Sequence, residues 1–402
     1  MVKVRQQFNR ERLENPAAEL AIRLHKTGFL SNIAPGARIA VAAGSRGIRG
    51  IAAMIRTVVE ELKGAGADPF IVPAMGSHGG GTAEGQKTVL KSLGISEADS
   101  GVPVVSEIET TQIGTTSSGM AVFMDRNACG ADGIVAVNRI KIHTAFHGRV
   151  ESGLCKMIAV GLGKREGAAT LHRFGLGEAI VEAFRVARER VPILFGVGIL
   201  ENAFDETLDL RVVGPADFEM ADHELLERSR EVTPRVPLRE FDILIVDEMG
   251  KNISGTGMDT NIIGFWRRFG GERNPDYHTL IVRDLTPESH GNAMGIGFAD
   301  LTTRRLVEKI DYTQTYTNGI TSGIWAIVRI PITLESDHAC LLTALEKHEP
   351  DSARIVRITN TLELEELAVS ESLIPSVRGR DDLEIIGTPE DMRFDGVGNL
   401  VE

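Results

Sequence analysis

The sequence predicts an α/β protein: two α/β domains with largely parallel sheets that flank an interdomain active-site cleft. Three observations carry this. Short continuously apolar runs such as Arg38-Ile-Ala-Val-Ala-Ala43 and Gly133-Ile-Val-Ala-Val137 alternate with amphipathic stretches, and strands apolar on both faces belong to sheets covered by helices. Several of these runs feed a glycine-rich loop bearing Ser, Arg, His or Lys, the side of a parallel sheet where ligands bind. The proline-interrupted polar stretch Glu231-Val-Thr-Pro-Arg-Val-Pro-Leu238 separates two such series, giving domains at residues 1–235 and 236–402.

Taken in order, residues 14–28 read as an amphipathic helix stopped by Gly28. A strand at 38–43, the loop Gly44-Ser45-Arg46-Gly47 and a helix over 48–63 follow. A second strand at 69–72 leads to Gly76-Ser77-His78-Gly79-Gly80-Gly81 and a helix opening near Thr82. Residues 103–123 read as shorter strands, and 133–137 as the third buried strand. A helix at 177–190, a strand at 192–197 and a helix at 216–230 complete the first domain. The second opens with a strand at 241–246 and the polar loop 247–261, followed by a strand at 279–282, a helix at 300–310 and an acidic tail from 350.

Composition narrows the function classes. The 402 residues suffice for two or three domains. With 56 acidic against 44 basic residues the net charge is −12, which argues against nucleic acid as a partner. Cys129, Cys155 and Cys340 are too far apart for a disulfide framework or a CxxC zinc pattern, which fits a reducing, cytoplasmic setting. The polar N-terminus lacks the apolar core of a signal peptide. No run approaches the roughly 20 apolar residues of a membrane span, so no membrane partner is expected.

The chemistry concentrates between Asn138 and His172, where His143, His147 and His172 and five glycines surround Lys156. A lysine at the edge of the apolar run 157–162 is costly unless its charge is paired, neutralised or covalently used, and flanking imidazoles point to acid/base or metal chemistry. Ser45 and Arg46, between a strand and a helix, suit a phosphate or carboxylate. His78, flanked by glycines, projects with little crowding. A zinc-dependent hydrolase or lyase on His143, His147 and His172 is one alternative; a non-catalytic phosphate- or nucleotide-binding protein is another.

Together AAGSRG, AMGSHGGG, IHTAFHGRVESGLCKMIAVGLGK with the later His172, and GKNISGTGMDTN resemble the nickel-dependent lactate racemase superfamily of 2-hydroxy acid racemases and epimerases. The resemblance implies a nickel-pincer nucleotide (pyridinium-3,5-bisthiocarboxylate mononucleotide nickel), with Lys156 as covalent tether and His172 as nickel ligand. It implies His78 as one catalytic acid/base and His143 as the other, with His147 as rival for the second. Ser45, Arg46, Gly76 and Ser77 then line the cofactor, and Arg46, Lys251, Asp259 and Asn261 face the substrate. Residues 1–235 become the catalytic, cofactor-binding domain and 236–402 the domain that closes the cleft. Ala43 stands where lactate racemases carry an aspartate, which departs from lactate as substrate, and the polar second-domain residues Ser254, Thr256, Asn292, Thr317 and Asn318 suit a sugar acid or a malate-like acid. The further partners implied are the cofactor-synthesis proteins.

Overall fold

The computed structural model describes residues 1–401. The chain divides into a unit of Asn9–Thr233 and a unit of Met1–Phe8 with the segment from Pro234 onward.

In the Asn9–Thr233 unit a five-stranded sheet runs in the order Asp68–Pro73, Arg38–Ala43, Gly133–Arg139, Ile193–Glu201, Thr207–Val213. The first four strands are parallel and the last pairs antiparallel to its neighbour. The central strands are buried on both faces because helices cover both. Ile51–Gly64 presents Ile51, Met54, Ile55, Val58, Val59 and Leu62 to the core around Ile39 and Val41. That spacing is the apolar stripe of a 3.6-residue helix, and each such aliphatic side chain contributes about 1.5–3 kcal/mol relative to exposure. Pro16–Thr27 is capped by the Asn15 side chain, which accepts from Ala18 N, and ends at Gly28 with φ 70°. The 103–123 stretch holds one antiparallel hairpin, Thr110–Thr115 with Ala121–Asp125.

In the other unit an eight-stranded mixed sheet runs Ile332–Leu334, Leu301–Thr303, Thr279–Leu285, Ile243–Met249, Ile355–Ile358, Glu366–Val369, Val2–Gln6, Leu383–Ile385. Its first five strands are parallel and the remaining pairings antiparallel. Two features differ from the sequence reading. The N-terminal strand lies in this sheet rather than with 9–233, because Val2 and Val4 point into the core beside Val369 and Leu367. The helix expected over 300–310 is a strand, Leu301–Thr303, followed by a short helix, Arg304–Glu308, started by the Thr303 side chain on Leu306 N.

Candidate active site

Three parallel strands deliver their carboxyl-end loops to one segment. Asn138, near the end of Gly133–Arg139, donates from Nδ2 to Gly153 O at 2.8 Å. Gly44 lies against Met157 so closely that a Cβ there would sit 3.3 Å from the Met157 methyl. Gly76 N donates to Gly161 O at 3.1 Å. The strand ends that carry the Ser45, His78 and His143 loops thus each touch residues 153–161, on the side of a parallel sheet where ligands bind.

That segment is locally unusual. Leu154–Lys156 is a single α-turn, and Met157–Gly161 is a π-helix, a wide turn that occurs disproportionately at functional sites. Its start is held by Asp222 from the helix Phe218–Val232, whose carboxylate accepts from Leu154 N and Cys155 N, both at 2.8 Å. Asp222 is fully buried, and burial pushes its pKa up to about 7 against those two hydrogen bonds. Gly153 has φ 138° and ψ −149°, a region only glycine adopts freely, and a Cβ there would lie 2.2 Å from Asp222 Oδ1.

The histidines are placed by different partners. His78 Nδ1 faces Ser45 Oγ at 2.5 Å, so Ser45, expected at the cofactor, is bonded to a histidine. Gln86 braces the His78 loop from behind. Its Nε2 donates to Gly76 O at 2.8 Å, and its Oε1 accepts from Lys164 Nζ at 3.1 Å. Lys164 is itself fully buried, donates to Pro73 O at 2.6 Å and pairs with Asp125 at 3.2 Å. His143 Nδ1 accepts from Ala145 N at 3.0 Å, and its ring lies 4.5 Å from that of Phe146. Lys156 Nζ sits 5.8 Å from the same Phe146 ring. His147 is more exposed and its Nδ1 faces Glu151 Oε1 at 3.2 Å. Ser77 is exposed in the His78 turn, where Gly76 takes φ 59°.

Electrostatics draws in the rest. Lys156 is half-buried, and its pKa falls to about 7, through burial first, then the Arg46 charge, then Lys141, with Glu151 opposing. Arg46 is exposed, and its pKa is lowered by desolvation and by Arg139. His172 occupies the last turn of Lys164–Phe174 and meets solvent over much of its surface. The desolvation that lowers its pKa is therefore partial, while the second cause, the Lys156 charge, puts the two side chains within electrostatic reach. A neutral amine is nucleophilic and a charged one is not. Acylation of Lys156 by an amine-selective ester should consequently rise about tenfold per pH unit below 7 and level off above it, while ordinary lysines near 10.4 keep rising. Peptide mapping over a pH series measures this, and a profile still climbing at pH 9 contradicts it.

The remaining candidates belong to the other unit. Lys251 donates from Nζ to Gly255 O at 2.6 Å and to Asn318 Oδ1 at 3.2 Å. Asp259 caps the short helix Thr260–Ile263, accepting from Asn261 N and Asn261 Nδ2, both at 2.9 Å. Asp259 and Asn261 thus have a local structural task that their position in a glycine-rich loop did not reveal.

Among the described residues no three His, Cys, Asp or Glu side chains are placed to hold a metal ion together, which a zinc centre on His143, His147 and His172 requires. A metal held mainly by a bound organic group would need fewer protein donors, and His172, within electrostatic reach of Lys156, is a side chain that could supply one. No helix among the described residues is long and apolar enough to cross a membrane.

Sequence reasoning missed Glu151, Asp222, Phe146 and Gln86. Glu151 follows His147 by four residues, a signal that was visible. Asp222 has none, being 66 positions beyond Lys156.

Residues 18–182 match the family described as the lactate racemase N-terminal domain. Among solved structures, the lactate racemase apoprotein from Thermoanaerobacterium thermosaccharolyticum is similar at 12% identity and a TM-score of 0.56, over 90% of this chain and 94% of that one. A structural-genomics crystal structure from Thermotoga maritima is similar at 14% identity and a TM-score of 0.52, over 78% of this chain and 81% of that one. At these identities the two likenesses are of fold. No curated protein matches the chain.

Proposed function

We propose, from the match of residues 18–182 to the lactate racemase N-terminal domain, that this chain is a cytoplasmic isomerase that racemises or epimerises a 2-hydroxy acid. The observation that supports the reading is that Gly44, Gly76 and Asn138, from the loops carrying Ser45, His78 and His143, lie against the segment bearing Lys156, whose charge acts on His172. The implied nickel-pincer nucleotide would be tethered by Lys156, with His172 as its protein metal ligand, after loading by cofactor-synthesis proteins. When bound, that group supplies a hydride acceptor, which the weakly acidic Cα–H of a 2-hydroxy acid requires.

The chain's own residues do the rest. Arg46 binds the substrate carboxylate through charge-assisted hydrogen bonds and fixes its orientation. His78 holds the substrate hydroxyl and takes its proton at Nε2, while Ser45 Oγ on Nδ1 keeps the ring from rotating. A serine hydroxyl both donates and accepts, so the pair tolerates either His78 tautomer. An imidazole from the 143–147 loop serves the opposite face of the substrate, so one site handles both hands. A sugar acid or a malate-like acid is as compatible as lactate with the cations Arg46 and Lys141, which both face Lys156 electrostatically.

His78→Ala should lower turnover by about 10²–10⁴-fold, the usual contribution of a general base, with nickel content unchanged. Polarimetry on a panel of 2-hydroxy acids, alongside metal quantification, tests both parts. Wild-type-like optical decay in the variant would remove His78 from the mechanism.

A further inference from the structure

One fully buried carboxylate lies between the histidines and Lys156, and its geometry decides something that the positions of the rings leave open. Glu151 has no exposed surface. Its Oε2 accepts from His143 N at 2.7 Å. Its Oε1 accepts from Gly148 N at 3.1 Å and Arg230 Nη2 at 2.6 Å, and faces His147 Nδ1 at 3.2 Å. Arg230 also donates to Gly148 O at 3.1 Å. It sits on Phe218–Val232, the helix that supplies Asp222 to the Lys156 turn. One helix outside the matched segment 18–182 therefore braces both the histidine loop and the lysine.

An ionised carboxylate only accepts. Burial raises the Glu151 pKa, but the hydrogen bonds from His147, His143 N, Arg230 and Gly148 N outweigh it and leave it lowered, so the group is ionised at neutral pH. A hydrogen bond to it therefore requires the proton of neutral His147 on Nδ1, which leaves the lone pair on Nε2. For His143 the logic reverses. A backbone N–H only donates, and Ala145 N donates to His143 Nδ1. Neutral His143 therefore carries its proton on Nε2. Flipping either ring would set a carbon against Glu151 Oε1 or against the Ala145 N–H and lose the bond.

We propose that Glu151, clamped by Arg230, is a positioning residue that fixes His147 with its acceptor on Nε2, while it holds the His143 backbone in the loop where Ala145 N fixes that ring with its proton on Nε2. The inference rests on the racemase reading only for its use: His147 is the ring able to take a proton, and His143 the ring that offers a hydrogen bond without giving its proton up. The two are not rivals for one role.

Long-range proton–nitrogen NMR correlation on the full-length apo chain tests this at roughly pH 8.5, about two units above the ordinary imidazole pKa, with His143→Gln and His147→Gln chains for assignment. The expected spectrum shows a protonated-type nitrogen at His147 Nδ1 and at His143 Nε2. Glu151→Gln, which offers one carbonyl oxygen to four donors, should lose the His147 Nδ1–H signature. Arg230→Met, which leaves the carboxylate in place, should keep it. A His147 ring protonated on Nε2 in the unmodified chain overturns the proposal without any variant, as does a Glu151→Gln chain with an unchanged His147 spectrum. The readout needs neither nickel nor turnover. Tautomers as described in a chain that racemises no 2-hydroxy acid would leave this assignment standing and remove the racemase reading.

Discussion

A Lys156→Ala chain, produced beside the cofactor-synthesis proteins, is expected to emerge at its unmodified mass and to turn over no 2-hydroxy acid, whereas the unaltered chain gains the mass of a nucleotide. The reasoning starts from desolvation. A protonated lysine next to Arg46 and Lys141 is disfavoured, and burial with those charges brings the amine pKa to about 7, so at neutral pH much of the group is a free nucleophile. Removing it costs the fold little, because a charge the site disfavours is removed with it. The linkage sign follows from the same shift. With the folded pKa below the unfolded value near 10.4, the charged form favours unfolding, so stability falls as pH drops from about 10 to 7 and is level below. The alanine chain should lack that slope. Intact-protein mass spectrometry reads the tether directly, and a nucleotide still attached in the variant would exclude Lys156. His172→Ala is the companion: the added mass should persist while nickel content falls.

Gly153→Ala is expected to destabilise the Asn9–Thr233 unit by roughly 3 kcal/mol or more, since two penalties coincide there. The backbone conformation, φ 138° and ψ −149°, costs a non-glycine residue about 1–3 kcal/mol. The new methyl would also stand 2.2 Å from Asp222 Oδ1 and 2.8 Å from Ile140 Cγ1, and overpacking of this kind costs about 1–3 kcal/mol. Asp222 cannot retreat without abandoning Leu154 N and Cys155 N, each bonded at 2.8 Å. The melting transition should fall by about 6–12 °C at 2–4 °C per kcal/mol, and the Lys156 acylation profile should return toward that of an ordinary lysine. A variant melting with the parent would show that the turn reshapes at no cost.

The sheets were legible in the sequence because continuous apolar runs such as Ile39–Ala43 and Ile134–Val137 have few other uses. The loops beyond them were legible because glycine there is paired with histidine, serine or arginine. The partnerships were not. Ser45 was expected beside the cofactor, and its bond to His78 joins two loops 33 residues apart, a distance that no local pattern encodes. Asp222 and Arg230 occupy an ordinary amphipathic helix whose periodicity says only which face is buried. The strand Val2–Gln6 leaves little trace in the sequence because its alternating pattern, VKVRQ, is short and strongly charged, and pairing on both sides makes it a strand. Residues 300–310 suggest one helix in the sequence because Leu301–Thr303, a three-residue strand, is too brief to show a period of two.

The strand Val2–Gln6 carries a consequence for biogenesis. It is translated more than 350 residues before the two segments it bonds, Glu366–Val369 and Leu383–Ile385. During elongation the nascent chain must keep an aggregation-prone ribbon unpaired while the nested 9–233 module completes its own hydrophobic collapse. Lys3 and Arg5, alternating with Val2 and Val4, are the kind of charges that discourage promiscuous strand addition by an unpaired strand.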